Sequence, residues 1–305
     1  MASRAMFEGL SAFPLTPTDA NGVVIGPDLQ RLFGRLVEAR VDSIGLLGST
    51  GGYAYLTREQ RRRAVEMAVG EAGGRVPLMV GVGAMRTDEA EGLARDAAAI
   101  GADALLLAPV SYTPLTQDEV YWHFRAVAAA TDLPLCIYNN PTTTHFSFGD
   151  ALLARLAEID NIRAVKMPLP QDGDFRAELA RLRAKSGGKL TVGYSGDWGA
   201  ADALLSGASA WYSVVGGLFP RPSRRLAHAA QGGDAGEARR IDAAFAPLWA
   251  LFKEFGSIRV VYAAARLLGL ISALPPRPLL ALDDGHAPRI RAAIDTLNSL
   301  ETSAA

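Results

Sequence analysis

Short apolar runs of four to six residues recur along the chain, separated by longer stretches that mix apolar and polar positions. The runs at 9–14, 43–47, 77–82, 104–108, 133–138, 162–166, 190–194 and 210–215 are too short for helices and read as strands. They are apolar throughout rather than alternating, which is what strands covered on both faces need in a parallel sheet. The intervening stretches read as helices, most clearly at 27–40, 57–72, 87–100 and 116–131. Thr57, Thr87 and Thr116 are expected N-caps. Gln60 and Glu119, three residues after the first and last of these, complete capping-box patterns. Gly101 and Gly207 follow helix ends, where a positive φ is wanted.

Eight strand–helix units over about 220 residues fit a (β/α)₈ barrel, the TIM-barrel form of the α/β class. An open, doubly wound sheet is the alternative, and it should carry a glycine fingerprint after its first strand. The nearest candidate, Gly81-Val82-Gly83, continues Ala84-Met85-Arg86 and lacks the third glycine. Strand patterns stop after Pro220. We therefore expect a catalytic barrel over residues 1–220 and a C-terminal helical appendage over 221–305, with helices at 235–255 and 257–268.

Composition narrows the classes of function. Lys and Arg total 31 against 32 Asp and Glu, so no electrostatic case exists for binding nucleic acid or an anionic membrane. Arg61-Arg62-Arg63 falls within an expected helix and reads as a solvated face. The single cysteine, Cys136, sits in an apolar run and reads as a buried, inert thiol. No segment reaches the roughly 18 apolar residues of a membrane span, and the N-terminus has no long apolar stretch of a signal peptide. A cytoplasmic protein is the default expectation. His123, His145, His228 and His286 lack metal-ligand spacing, which argues against a zinc-dependent aldolase.

In such a barrel, chemistry gathers at the C-terminal ends of the strands. Lys166 closes the sixth run, a costly place for a charge without a use. A neutral amine there could attack a carbonyl carbon, although a lysine reaching out to solvent would have the same sequence. Tyr138 closes the fifth run and opens Tyr138-Asn139-Asn140-Pro141, where its phenol could move protons or simply fill the core. Gly48-Ser49-Thr50-Gly51-Gly52 follows the second run. It offers two hydroxyls and free backbone amides as a nest for a carboxylate, or it is a plain glycine-rich turn.

Taken in order, these segments resemble the dihydrodipicolinate synthase / N-acetylneuraminate lyase family of class I, pyruvate-type aldolases. Phe13-Pro14-Leu15-Thr16-Pro17 is similar to the family's opening strand, and Ser195-Gly196-Asp197 to its segment after the seventh strand. The resemblance covers essentially the whole chain. It implies that Lys166 forms an imine with pyruvate or another 2-oxo acid, with no metal or organic cofactor. It gives Tyr138 the proton relay, and Ser49, Thr50 and Gly51 the carboxylate, with Thr50 also bonded to Tyr138. Tyr112 matches a tyrosine lent to a neighbour across a dimer interface. Gly196 and Tyr212 would line the pocket, and the assembly would be a homo-oligomer built as a dimer of dimers.

Three positions depart from the family pattern. Thr143 stands where synthases of lysine biosynthesis carry an arginine for the second substrate's carboxylate, a role no threonine fills. Gly52 replaces the glycine loop's usual glutamate, and Tyr212 is bulkier than the usual aliphatic residue. His145, on the loop after the tyrosine motif, is a further candidate for substrate contact. The resemblance therefore leaves open a true 4-hydroxy-tetrahydrodipicolinate synthase, a 2-oxo-3-deoxy sugar acid aldolase or dehydratase, and a paralogue that binds a 2-oxo acid without turning it over.

Overall fold

Each of the eight apolar runs is a strand, usually shorter than its run for identifiable reasons. In the computed structural model, which describes residues 6–302, they are β1 (Gly9–Ala12), β2 (Ser43–Leu46), β3 (Leu78–Gly81), β4 (Ala104–Leu107), β5 (Leu135–Tyr138), β6 (Ile162–Met167), β7 (Thr191–Tyr194) and β8 (Ala210–Ser213). The run at 133–138 loses its first residues because Pro134 has no N–H for the ladder. Pro14 ends β1 in the same way, one residue after Phe13 N donates to Ser213 O at 2.8 Å.

All eight strands are parallel and close in sequence order, β1 through β8 and back to β1. The open-sheet alternative is thereby set aside. Helices α1 (Gly26–Glu38), α2 (Arg58–Ala72), α3 (Thr87–Ile100), α4 (Gln117–Ala128), α5 (Asp150–Ala157), α6 (Phe175–Lys185) and α7 (Ala200–Leu205) alternate with the strands, and the one-turn helix Pro141–Thr144 precedes α5. Both capping boxes form: Thr57 with Gln60, and Thr116 with Glu119. Thr87 departs from expectation. Arg86 occupies the N-cap and Thr87 is the first helical residue, because its hydroxyl is taken by His123 Nδ1 at 3.0 Å. Gly101 and Gly207 adopt φ of +107° and +99° as expected.

Side chains alternate in and out along each strand. The inward set mixes large and small residues, with Phe13, Met79, Leu106, Tyr138 and Tyr212 filling space left by alanines and glycines. Cys136 is fully buried among them, and burial pushes its thiol up to about 12. The outward set packs against the helices in one larger core.

After β8, α8 (Pro220–Gln231) packs on β1 and α7 and also against α9 (Ala235–Phe255), so it joins barrel and appendage. Helices α10 (Ser257–Leu267) and α11 (Ala287–Thr302) complete the C-terminal group. The segment beyond α10 is tied back to α1. Asp28 accepts from Ser272 N at 2.7 Å and Ser272 Oγ at 2.9 Å, and Arg31 Nε donates to Leu270 O at 2.9 Å. No helix among the described residues is long and apolar enough to cross a membrane.

Candidate active site

The register of the sheet sets the site. Tyr138 and Lys166 are directly paired across β5 and β6, so both side chains point to the same inner face, at the C-terminal mouth. Lys166 is 4% exposed, and its Nζ makes no hydrogen bond or ion pair among the described residues. Three aromatic faces surround it instead. The ring centroids of Phe13, Tyr138 and Tyr212 lie 4.0, 4.4 and 5.8 Å from Nζ. An amine so enclosed, with no carboxylate beside it, is placed to meet a carbonyl carbon rather than to hold an ion pair.

Glycines make this seat. A Cβ on Gly45 would collide with the Phe13 ring, and one on Gly48 would lie 2.6 Å from Phe13 Cδ1. On the other side, a Cβ on Gly193 would lie 2.7 Å from Cε2 of Tyr212. Tyr212 is fully buried beneath Lys166, in Oη–Sγ contact with Cys136 at 3.6 Å, and burial raises its phenol well above the ordinary value. It forms the floor of the site rather than its wall.

The loop after β2 brings Ser49, Thr50 and Gly51 to the same mouth. None of their amide N–H groups has an acceptor among the described residues. Three free donors in succession suit a carboxylate. Ser49 Oγ lies 3.2 Å from Tyr138 Oη. Thr50, to which the resemblance gives that bond, makes no hydrogen bond to Tyr138; Ser49 stands in that place. Asn140 also reaches the phenol, its Nδ2 donating to Tyr138 Oη at 2.9 Å.

The remaining expected residues lie further out. Thr143 is exposed on the one-turn helix at the rim, with His145 closing that helix at φ +54° and equally exposed. Gly196 has φ +92°, and a Cβ there would lie 2.8 Å from Cγ of Leu169, so its role is to let the loop after β6 pack closely. Asp197 beside it is buried and accepts from Trp211 Nε1 at 2.9 Å, Val214 N at 3.2 Å and Val215 N at 2.8 Å. Burial raises its carboxyl above the usual range, against those three bonds. Tyr112 is 96% exposed on the single chain.

Arg61 overturns its expectation. Arg62 and Arg63 reach Glu66, as surface residues do, whereas Arg61 is 6% exposed. Its guanidinium donates to the carbonyls of Gly81 at 2.9 Å and Gly83 at 3.0 Å, holding the end of β3. Tyr53 covers it, with ring centroid 5.2 Å from Cζ. Burial lowers Arg61 to about 10 and raises the Tyr53 phenol to about 12, the latter helped by the nearby Tyr138. The signal was available in the sequence: Arg61 shares a helical face with the buried Ala64, Val65 and Ala68. Among the described residues, no group of three or more His, Cys, Asp or Glu side chains is placed to hold a metal ion.

Known proteins share this sequence and fold. Residues 6–297 match the model of the dihydrodipicolinate synthetase family. A 4-hydroxy-tetrahydrodipicolinate synthase from Pelobacter propionicus is 34% identical over 280 residues, covering 92% of this chain and 94% of the relative. One from Corynebacterium aurimucosum is 36% identical over 279 residues, covering 91% and 90%. The crystal structure of a dihydrodipicolinate synthase from Agrobacterium tumefaciens has a TM-score of 0.95 at 61% identity, covering 97% of this chain and 99% of that one. A chloride-inhibited dihydrodipicolinate synthase from Acinetobacter baumannii, complexed with pyruvate, has a TM-score of 0.88 at 29% identity, covering 96% and 99%. The chain belongs to the dihydrodipicolinate synthetase family, and is a lyase of the class I aldolase type.

Proposed function

We propose that Lys166 forms a Schiff base with pyruvate or a related 2-oxo acid, and that the chain uses it for aldol cleavage or condensation, or for dehydration. The neutral amine adds to the keto carbon while the carboxylate sits on the free amides of Ser49, Thr50 and Gly51. The carbinolamine hydroxyl then leaves as water with the proton of Tyr138, and the nitrogen lone pair closes the C=N bond. The iminium draws electrons from C3. Loss of a proton there, or cleavage of the C3–C4 bond, gives an enamine. The imine itself supplies the electron sink, so the reading calls for no metal or organic cofactor.

The observation that carries this is the seat of Lys166: buried, free of ion pairs, and paired in register with Tyr138. Borohydride added with pyruvate should leave a covalent mass on Lys166, and Lys166→Ala should abolish both adduct and turnover. No adduct at millimolar pyruvate would overturn the reading, and binding without adduct would favour a non-catalytic 2-oxo acid receptor.

The partner substrate is the second half of the proposal. Thr143 at the rim offers a hydroxyl where the resemblance implies an arginine, which favours a 2-oxo-3-deoxy sugar acid or hydroxy-oxo acid over a second dicarboxylate-like partner. The relatives named 4-hydroxy-tetrahydrodipicolinate synthase support the other reading, condensation with aspartate semialdehyde. A panel of 2-oxo-3-deoxy sugar acids, assayed for pyruvate release and for dehydration, decides between them. A kcat/KM of about 10⁴ M⁻¹s⁻¹ or more for pyruvate with aspartate semialdehyde would establish the synthase. The same reading takes the enzyme as a cytoplasmic homo-oligomer, a dimer of dimers, in which the exposed Tyr112 serves a neighbour's site. An active monomer in sedimentation would remove that role.

A further inference from the structure

Asn140 stands at the N-cap of the one-turn helix Pro141–Thr144. Asparagine is among the best N-caps because its side chain accepts from a backbone N–H two or three residues on. Here it makes no such bond. Its backbone carbonyl accepts instead, from Thr143 N and Thr144 N at 3.0 Å each and from Thr144 Oγ1 at 3.0 Å. The side chain is thereby turned back to the strand end, where Nδ2 donates to Tyr138 Oη at 2.9 Å. The adjacent Asn139 works elsewhere, its N donating to Lys166 O at 3.0 Å and its Nδ2 to Met167 Sδ at 3.5 Å.

The donation from Asn140 orders the rest of the relay. The Ser49–Tyr138 contact of 3.2 Å could run in either direction. With an amide N–H on the phenol oxygen, the phenol's own proton is directed to Ser49 while the site is empty. Once a carbinolamine hydroxyl arrives, Tyr138 can hand that proton over, and Ser49 can turn to donate. The resulting phenolate then has two donors, of which Asn140 is fixed in advance.

We propose that Asn140 is a positioning residue of the proton relay, a permanent N–H donor that directs the Tyr138 proton and stabilises the phenolate formed when it leaves. This rests on the lysine imine proposed above. In dehydration the C–O bond of the carbinolamine breaks, water departs with the Tyr138 proton, and iminium and phenolate remain as a balanced pair. In enamine formation the phenolate takes the proton from C3, the C–H electrons form the C2=C3 bond, and the C=N π pair moves onto nitrogen. A donor aimed at charge that develops only in such steps acts on rate rather than on substrate binding.

The test compares Asn140→Leu, which has neither donor nor acceptor, with Asn140→Asp, which keeps the shape but as a carboxylate only accepts. Exchange of the pyruvate methyl protons in D₂O, followed by NMR, reads the Tyr138 step; borohydride trapping reads the imine. Loss of one preorganised donor is typically worth about 10²–10³ in kcat. Both variants should therefore exchange about 10²-fold or more slowly, with KM for pyruvate little changed and Lys166 still trapped on long incubation. Asn140→Asp should recover in part as acid protonates the new carboxyl and restores a donor. Wild-type exchange in either variant at neutral pH would overturn the proposal, as would a loss confined to KM. Wild-type chain in the same trap separates the two failures, because no adduct there overturns the imine and this proposal with it.

Discussion

Lys166 Nζ sits 4.0 Å from the centroid of the Phe13 ring, and that ring has its place only because Gly45 and Gly48 lack side chains. The nucleophile's setting is thus written in β1, β2 and β6 together.

Gly45→Ala should therefore act on Lys166 at a distance. The added methyl collides with Phe13 and forces the ring, or the strand, to move. Overpacking of this kind costs about 1–3 kcal/mol. The expected outcome is a lower urea midpoint together with slower borohydride trapping at saturating pyruvate. Unchanged trapping in a folded Gly45→Ala protein would remove Phe13 from the site.

Tyr138→Phe keeps the ring beside Lys166 but deletes the proton. The expected loss is about 10²–10⁴-fold in turnover, the usual value of a positioned acid–base group. Ser49→Ala should lose less, and the double variant should be no worse than Tyr138→Phe, since both act through one oxygen. Additive losses in that cycle would mean that the 3.2 Å contact carries no proton.

Arg61→Met leaves the carbonyls of Gly81 and Gly83 without their donor. Each unpaired buried acceptor costs roughly 1–3 kcal/mol. Arg61→Lys should not rescue, since one ammonium cannot present the planar fork that spans both oxygens. Chemical denaturation reads the stability. A variant as stable as wild type would mean that the end of β3 is held by other contacts.

His123 gives a pH prediction. Burial, its main cause, holds this imidazole below its ordinary value of 6.5. Between the depressed value and 6.5 the unfolded chain takes up a proton that the folded chain refuses. The folded state is therefore favoured fully above 6.5 and loses stability as pH falls below it. Thermal unfolding across pH 5–8 should display this slope in wild type and less of it in His123→Phe. Equal slopes in the two would discount His123 as its source.

These residues also mark what a sequence makes legible. The barrel could be read from the apolar runs, because strands covered on both faces leave no polar alternation, and the capping boxes at Thr57 and Thr116 are local patterns that local structure obeys. Lys166, Tyr138 and the Ser49 loop were visible for a similar reason, each standing at the end of a run. What could not be read depends on contacts distant along the chain. Thr87 caps nothing because His123, from the next helix along, claims its hydroxyl. Phe13 gained its meaning from two glycines in another unit. Asn140 belongs to the Tyr138-Asn139-Asn140-Pro141 motif, yet from sequence its side chain could equally cap the helix it begins. Arg61 stands in a charged run, but its own helical face is apolar.

The backbone around the nucleophile leaves little freedom to vary. Even at Gly81 a Cβ would run into the carbonyl oxygen of Leu47. The side chains of Thr142, Thr143 and His145, by contrast, project freely from the one-turn helix at the rim. Diversification of this enzyme, natural or in a mutant library, is thereby channelled to those three positions. New partner substrates can be explored there while the lysine, the tyrosine and the glycine seat are inherited intact.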